Sequence, residues 1–110
     1  KENGGDGAAA SPMELVLLGL AGCSGIDVAL IVKKKRLNVR DFQIFVDGQR
    51  ADEHPQVFNK VQMKFVFEGD DLSQKALEDA VRLSLDKYCS VAGMVNKTAE
   101  ITWTVEIKDE

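Results

Sequence analysis

Histidine, cysteine, tryptophan and proline are all scarce in this chain. The 110 residues include one histidine, two cysteines, one tryptophan and two prolines. Two cysteines are too few for the disulfide framework of a small secreted protein, and a single histidine cannot complete a zinc site with them. We therefore expect neither a metal nor a cofactor. Cys23 and Cys89 are then either two inert core thiols or a redox couple.

Positive charge is also in short supply. Lysine and arginine together number 14 against 18 acidic residues, which gives a formal net charge of −4. A nucleic-acid-binding surface needs an excess of basic residues to displace counterions, so we expect no nucleic-acid partner. The basic run at residues 33–36 falls at the end of a predicted helix, where cations complement the helix dipole.

The first ten residues, KENGGDGAAA, lack the order of a signal peptide, in which a basic segment precedes an apolar one. We therefore predict a cytoplasmic protein. Hydrophobic residues make up 45% of the sequence, enough for one core but not for two. Residues 1–110 are accordingly predicted to form a single domain.

One long apolar stretch, residues 11–36, dominates the sequence. Ser11 can cap a helix, Pro12 suits the first helical position, and Glu14 completes a capping box with Ser11. The stretch has no polar face, so the helix is predicted to be buried on all sides. It is long enough to cross a membrane, but Asp27 and several glycines interrupt it. We therefore predict a core helix and no membrane span.

The length of this helix predicts a homodimer. A helix of about 24 residues is about 36 Å long, which equals the diameter of a compact domain of this size. One chain has too little material to surround it, so a second copy is expected to supply the missing cover. Each helical glycine costs about 1 kcal/mol relative to alanine. The small residues Gly19, Gly22 and Ser24 are expected to let the helices of the two copies meet.

The rest of the chain shows short periodic segments. Alternating apolar residues predict strands at residues 39–47 and 57–67, which we expect to pair antiparallel. Helical spacing predicts an amphipathic helix at residues 72–88 and a further turn or two at 91–95. Clean alternation predicts a last strand at residues 98–107. The predicted fold class is α+β, with a small antiparallel sheet packed on the long helix.

Local sequence ranks the two thiols in a definite order. Cys89 stands at the start of a helical segment with Lys87 nearby, and unpaired backbone N–H groups there favour a thiolate. Cys23 lies in the middle of the apolar helix, where desolvation should raise its pKa. On this reasoning Cys89 is the more reactive thiol. The alternative, that both cysteines are small core residues, remains open.

Three segments carry a resemblance to a known family. They are SPMELVLLGLAGCSGIDV, RLNVRDFQIFVDGQRADEHPQVF and LSLDKYCSVAGM, and the two cysteine motifs are 66 positions apart. The chain resembles the OsmC/Ohr superfamily of osmotically inducible and organic hydroperoxide resistance proteins, and is most similar to its YhfA-like branch. The resemblance implies an intertwined α+β homodimer with long central helices. It also implies that the family's N-terminal strands lie outside residues 1–110.

The resemblance implies a thiol-dependent peroxidase that reduces organic hydroperoxides. Cys23 in AGCSG matches the peroxidatic cysteine of the family, and Cys89 in KYCSV matches the resolving cysteine. This assignment reverses the local ranking of the two thiols. A sulfenic acid on Cys23 would condense with Cys89 to a disulfide, which an external dithiol would then reduce.

An alternative function remains open because of Met13. The family has a glutamate at this position, ten residues before the first cysteine; here Glu14 lies one place later, turned by about 100° along the helix, and suits the helix cap. A non-catalytic dimer that binds a small apolar or thiol-reactive ligand in the inter-subunit pocket is the alternative. Asp27, one turn after Cys23, is interpreted as structural, and His54 as a loop residue.

Overall fold

The computed structural model describes residues 11–108. Its order of elements is the predicted one: a long helix, two strands, a helix, a short helix and a strand. A π-helical turn follows the second helix directly. The elements are α1 (Pro12–Lys34), β1 (Val39–Arg50), β2 (Phe58–Gly69), α2 (Gln74–Leu83), the π-helical turn (Ser84–Tyr88), α3 (Ser90–Val95) and β3 (Glu100–Lys108).

The start of α1 has the predicted capping box. The Glu14 N–H donates to the Ser11 hydroxyl oxygen at 3.2 Å, and the Ser11 N–H donates to the Glu14 carboxylate at 2.8 Å. Two backbone donors that no helical carbonyl could reach are satisfied in this way. The helix ends two residues earlier than predicted, because Arg36 leaves it with a φ of 60°.

The sheet has the order β1-β2-β3 and is mixed. Strands β1 and β2 pair antiparallel, as predicted, with Ile44 opposite Phe65. Strands β2 and β3 pair parallel, with Phe65 opposite Val105, so the prediction of an antiparallel sheet was wrong for this pair. The chain between them runs through α2, the π-helical turn and α3, a crossover long enough to bring β3 back in the direction of β2.

Alternation along the strands places one face of the sheet in the core. On the central strand, Val61, Met63, Phe65 and Phe67 are buried, as the sequence predicts. On β1 the residues of the inward face are half-buried, while Phe45 on the other face is 54% exposed. Helices α1 and α2 cover the inward face of this sheet.

The predicted helix at residues 72–88 is in fact two elements. Helix α2 begins at Gln74, two residues later than expected, because Ser73 caps it. After Leu83 the helix widens into the π-helical turn, where the Cys89 N–H donates to the Ser84 carbonyl at 2.7 Å. The wider turn determines where Cys89 leaves the helix.

Helix α1 is buried along one stripe only. Leu20, Ser24, Val28 and Val32 are the buried residues, each four positions after the last. The prediction of burial on all sides is therefore not met within one protomer. Leucine, isoleucine and glycine residues form the opposite side, which we call the open face of α1. It comprises Leu15, Leu18, Gly19, Gly22, Ile26 and Leu30, of which the four large side chains are 55–66% exposed.

The protomer is also less compact than a typical chain of its length. Its extents are 45 × 30 × 19 Å and its radius of gyration is 15.1 Å, against about 13 Å for a compact chain of this length. A Cβ added to Gly19 or Gly22 would meet no atom within 4 Å. By length and composition alone, α1 could also cross a membrane. Its buried stripe nevertheless packs on the sheet and on α2, as expected of a core helix.

Candidate functional site

The structure brings the two cysteines together. Cys23 lies half-buried in the middle of α1, and Cys89, only 4% exposed, is the N-cap residue of α3. Their sulfur atoms and a carboxylate oxygen of Asp27 all lie within 4.8 Å of one another. Two thiols distant in sequence therefore share one small cluster with an acidic group.

Cys89 is not the activated thiol that its position suggests. Its Sγ accepts a hydrogen bond from the Ala92 N–H at 3.4 Å. Burial nevertheless raises the pKa of Cys89 to about 11, because desolvation outweighs this bond and the neighbouring Cys23 thiol acts in the same direction. Lys87, the cation that the sequence places near Cys89, lies over the Tyr88 ring, with its ammonium 5.2 Å from the ring centre. The local ranking of the thiols was therefore wrong for Cys89.

A chain of buried hydroxyl groups leads to Asp27. The Ser84 hydroxyl donates to Asp27 Oδ2 at 3.1 Å, and the Ser24 and Ser84 oxygens lie 3.2 Å apart. The Ser84 hydroxyl has a single hydrogen, which it donates in its hydrogen bond to the Asp27 carboxylate. The hydrogen bond between the two serines must therefore be donated by Ser24. Both serines are fully buried. Asp27 therefore binds a buried partner, and the chain of hydroxyl groups fixes its carboxylate beside the thiols.

Sequence reasoning assigned Ser24 to the contact between the long helices of two copies, which its full burial within one protomer against Ser84 contradicts, and it did not single out Ser84. Ser24 follows Cys23 inside an apolar run, and Ser84 occupies an inward position of the predicted amphipathic helix. A small hydroxyl at a core position of a helix is the signal that could have indicated them, since buried polar groups are normally hydrogen-bonded.

Only Cys23, Asp27 and Cys89 among the described residues form a group that could hold a metal ion. A structural zinc site normally uses four protein ligands. His54 lies exposed in the loop between β1 and β2, far along the sequence from either cysteine. The expectation of no metal stays a prediction.

The other residues singled out in the sequence lie away from the thiols. Met13 is half-buried against the core and lines a cleft of about 550 Å³ with Leu17, Arg50 and Phe58. Glu14 belongs to the capping box.

A second cleft, of about 380 Å³, lies beside Asp27. Its walls combine apolar side chains with two lysines: Leu30, Ile31, Lys34, Lys35, Leu83 and Tyr88.

Comparison with known proteins gives consistent matches. Residues 4–104 match the family model described as OsmC-like protein. The chain is 43% identical over 105 residues to Protein YhfA of Escherichia coli (strain K12), a match that covers 96% of this chain and 78% of that protein. It is also 43% identical to a hypothetical protein from Aquifex aeolicus VF5, with a TM-score of 0.87 over 94% of this chain and 77% of the other.

A more distant solved structure shares the fold. The organic hydroperoxide resistance protein from Elizabethkingia anophelis aligns with a TM-score of 0.76 at 15% identity, over 92% of this chain and 71% of that one. At an identity this low, the structural alignment establishes a common architecture. The match of the family model and the identity to the two nearer relatives establish more: the chain belongs to the OsmC-like protein family and has its α+β fold.

Proposed function

We propose that this protein is a cytoplasmic, thiol-dependent peroxidase that reduces organic hydroperoxides with Cys23 as the peroxidatic and Cys89 as the resolving cysteine. Membership of the OsmC-like family supports this proposal, as does the fold shared with a protein whose name is organic hydroperoxide resistance protein. The reductant is an external dithiol.

The observation that carries the proposal is the unequal exposure of two adjacent thiols. Cys23 is half-buried, so a peroxide can reach it, whereas Cys89 is almost fully buried and has Cys23 beside it. A peroxidatic thiol must be accessible, and a resolving thiol must reach the sulfur of its partner. The sulfurs, within 4.8 Å, must approach to about 2.05 Å for a disulfide.

The reaction has three steps. The Cys23 thiolate attacks one peroxide oxygen, the O–O bond breaks, and the alkoxide leaves as the alcohol after taking up a proton. Cys23 is now a sulfenic acid, which Cys89 attacks to form the disulfide with release of water. A dithiol then reduces this disulfide by two successive exchange steps and is itself oxidised to a disulfide.

The proposal includes a homodimer. The open face of α1 exposes apolar side chains around two glycines that have no atom near them within the chain. Small residues in a helix offset their cost when another backbone comes close, and a contiguous apolar face of this kind marks an interface. A second copy of α1 packed against the first satisfies both conditions.

Stopped-flow reaction with cumene hydroperoxide tests the activity. The wild type should lose two thiols, the Cys89→Ser variant one, and the Cys23→Ser variant none on the same timescale. Mass spectrometry should detect a disulfide between Cys23 and Cys89 only in the wild type. Retention of both thiols by the wild type in excess hydroperoxide would refute the proposal, and so would an undiminished reaction of Cys23→Ser.

The second candidate is a non-catalytic dimer that binds a small apolar or thiol-reactive ligand. Met13, which stands where the family has a glutamate, favours it, because a thioether half-buried against the core cannot hold an arginine. The same stopped-flow experiment distinguishes the candidates. A binding protein would leave the hydroperoxide unreduced over many equivalents even when a dithiol is supplied.

A further inference from the structure

The second half-reaction leaves a proton without an evident route. Cys89 must lose its proton before it can attack Cys23, and the hydroxide that leaves Cys23 must gain one to become water. Cys89 is only 4% exposed, so bulk water is poorly placed to take its proton. A base beside the Cys89 sulfur is needed, and a base that also lies beside Cys23 can pass the proton on to the leaving oxygen.

We infer that the Asp27 carboxylate is a catalytic proton carrier, which takes the proton of the Cys89 thiol and gives it to the oxygen that leaves Cys23. This inference rests on the proposed peroxidase function. Asp27 is one helical turn after Cys23, and one of its oxygens lies within 4.8 Å of both sulfur atoms. One water molecule or a small rotation closes that distance to hydrogen-bond reach.

The hydroxyl chain holds the carboxylate for this task. Ser84 donates to Asp27 Oδ2 at 3.1 Å and is itself bonded by the buried Ser24. A carboxylate has about four acceptor sites, so the bond from Ser84 leaves capacity for a proton from the thiol. The anchoring residues come from α1 and from the π-helical turn, and these two elements also position the cysteines.

The step balances without any further reactant. The S–H bond of Cys89 breaks and its proton binds Asp27, while the freed sulfur electron pair attacks Cys23 Sγ. The S–O bond of the sulfenic acid breaks, and the bonding electron pair of that bond leaves with the oxygen. It takes the proton from Asp27 and departs as water, so the carboxylate returns to its initial state.

A purely electrostatic role for Asp27 and a role as proton acceptor predict opposite effects of its removal on the rate at which Cys89 attacks Cys23. A negative charge beside a thiol disfavours the thiolate, so removing it should speed the attack by Cys89. Removing a proton acceptor should slow it. The titratable groups that share a cleft or the thiol cluster with Asp27 are Cys23, Lys34, Lys35, Tyr88 and Cys89.

Thiol exchange with dithiobis(nitrobenzoate) tests the inference without a peroxide. Cys23 releases a first nitrothiobenzoate as it forms the mixed disulfide, and attack by Cys89 releases a second. In Asp27→Asn we expect the second phase to slow about 10²-fold at neutral pH, within the range of a positioned general base. It should recover towards the wild-type rate as the pH rises, because the Cys89 thiol then ionises without a base.

Matched variants control for charge and folding. Asp86→Asn removes a carboxylate from an exposed position of the π-helical turn, and its second phase should keep the wild-type rate. Asp27→Ser serves as a second variant if the amide perturbs folding, and should show the same slow, pH-rescued phase. A second phase as fast as or faster than the wild type in these Asp27 variants at neutral pH overturns the inference. Such a result would leave the peroxidase proposal intact, because that is tested separately with hydroperoxide.

Discussion

Ser24 and Ser84 form a fully buried pair whose hydroxyl oxygens lie 3.2 Å apart. The pair connects α1 to the π-helical turn, and the Ser84 hydroxyl donates a hydrogen bond to Asp27. The two residues are 60 positions apart in sequence, so the contact fixes how the two cysteine-bearing segments meet. Within the described residues, every buried side-chain nitrogen and oxygen has a partner.

Removing either serine should destabilise the fold, but the two variants should lose unequal amounts of stability. Ser84→Ala leaves Ser24 without its partner and removes a donor from Asp27, so we expect a loss of about 1–3 kcal/mol in the free energy of unfolding. Ser24→Ala leaves the bond from Ser84 to Asp27 intact and should cost less. Urea unfolding at one fixed protein concentration measures both.

Ser90→Ala is the control for this comparison, because Ser90 is exposed. The double variant should cost little more than Ser84→Ala alone, since the two serines share one bond. Equal costs for the two single variants, or fully additive costs in the double variant, would contradict the proposed direction of the hydroxyl chain.

The open face of α1 predicts a specific effect of Gly22→Leu. Within one chain a side chain at Gly22 meets nothing within 4 Å, so the protomer itself should tolerate leucine. In a dimer packed through this face, overpacking should cost about 1–3 kcal/mol, roughly 5- to 150-fold in the dissociation constant. Analytical ultracentrifugation over a range of concentrations measures the shift.

Lys75→Leu adds the same side chain at an exposed position of α2 and should leave the association state unchanged. A Gly22→Leu variant that associates as tightly as the wild type would exclude a dimer through the open face.

Local patterns were enough to predict most elements of the fold. Alternation identified β2 and β3, and the sequence from Ser11 to Glu14 predicted the helix cap that the structure contains. The parallel pairing of β3 could not be predicted in this way, because it depends on the path of a whole crossover. No residue of β3 itself distinguishes the two directions.

The candidate site was predicted less completely. The family resemblance identified Cys23 and Cys89, but the local estimate of their reactivity considered the helix start and not the burial of Cys89. The contact of Ser84 with Asp27 joins residues 57 positions apart, and neither spacing nor periodicity reports such a pair. Long-range packing, which a single sequence does not display, decides both properties.

Burial of Cys89 predicts a loss of stability in alkaline solution. Its folded pKa is raised to about 11, against an ordinary value of 9.0. Between these values the unfolded chain releases the proton while the folded chain retains it. The stabilisation is therefore complete below the unfolded pKa and is lost as the pH rises through the folded pKa.

Urea midpoints of the reduced protein at increasing alkaline pH test this expectation. Other groups also titrate in this range, so the informative quantity is the difference between the wild type and Cys89→Ala. The midpoint of the wild type should fall more steeply with pH. Parallel curves for the two proteins would show that the Cys89 thiol titrates alike in the folded and unfolded states.

The π-helical turn predicts the effect of deleting one residue. The bond from the Cys89 N–H to the Ser84 carbonyl spans five residues, one more than in an α-helix. Deleting the exposed Asp86 should convert the turn to α-helix, in which four residues span the turn that five span here. Cys89 should then keep nearly its present direction relative to Ser84, and oxidation with diamide should form the intramolecular disulfide at about the wild-type rate. Asp86→Ala, which keeps the extra residue, should cross-link at the same rate, and circular dichroism should show both variants folded. A folded deletion variant that cross-linked at least about tenfold more slowly would show that Cys89 needs the extra residue to reach Cys23.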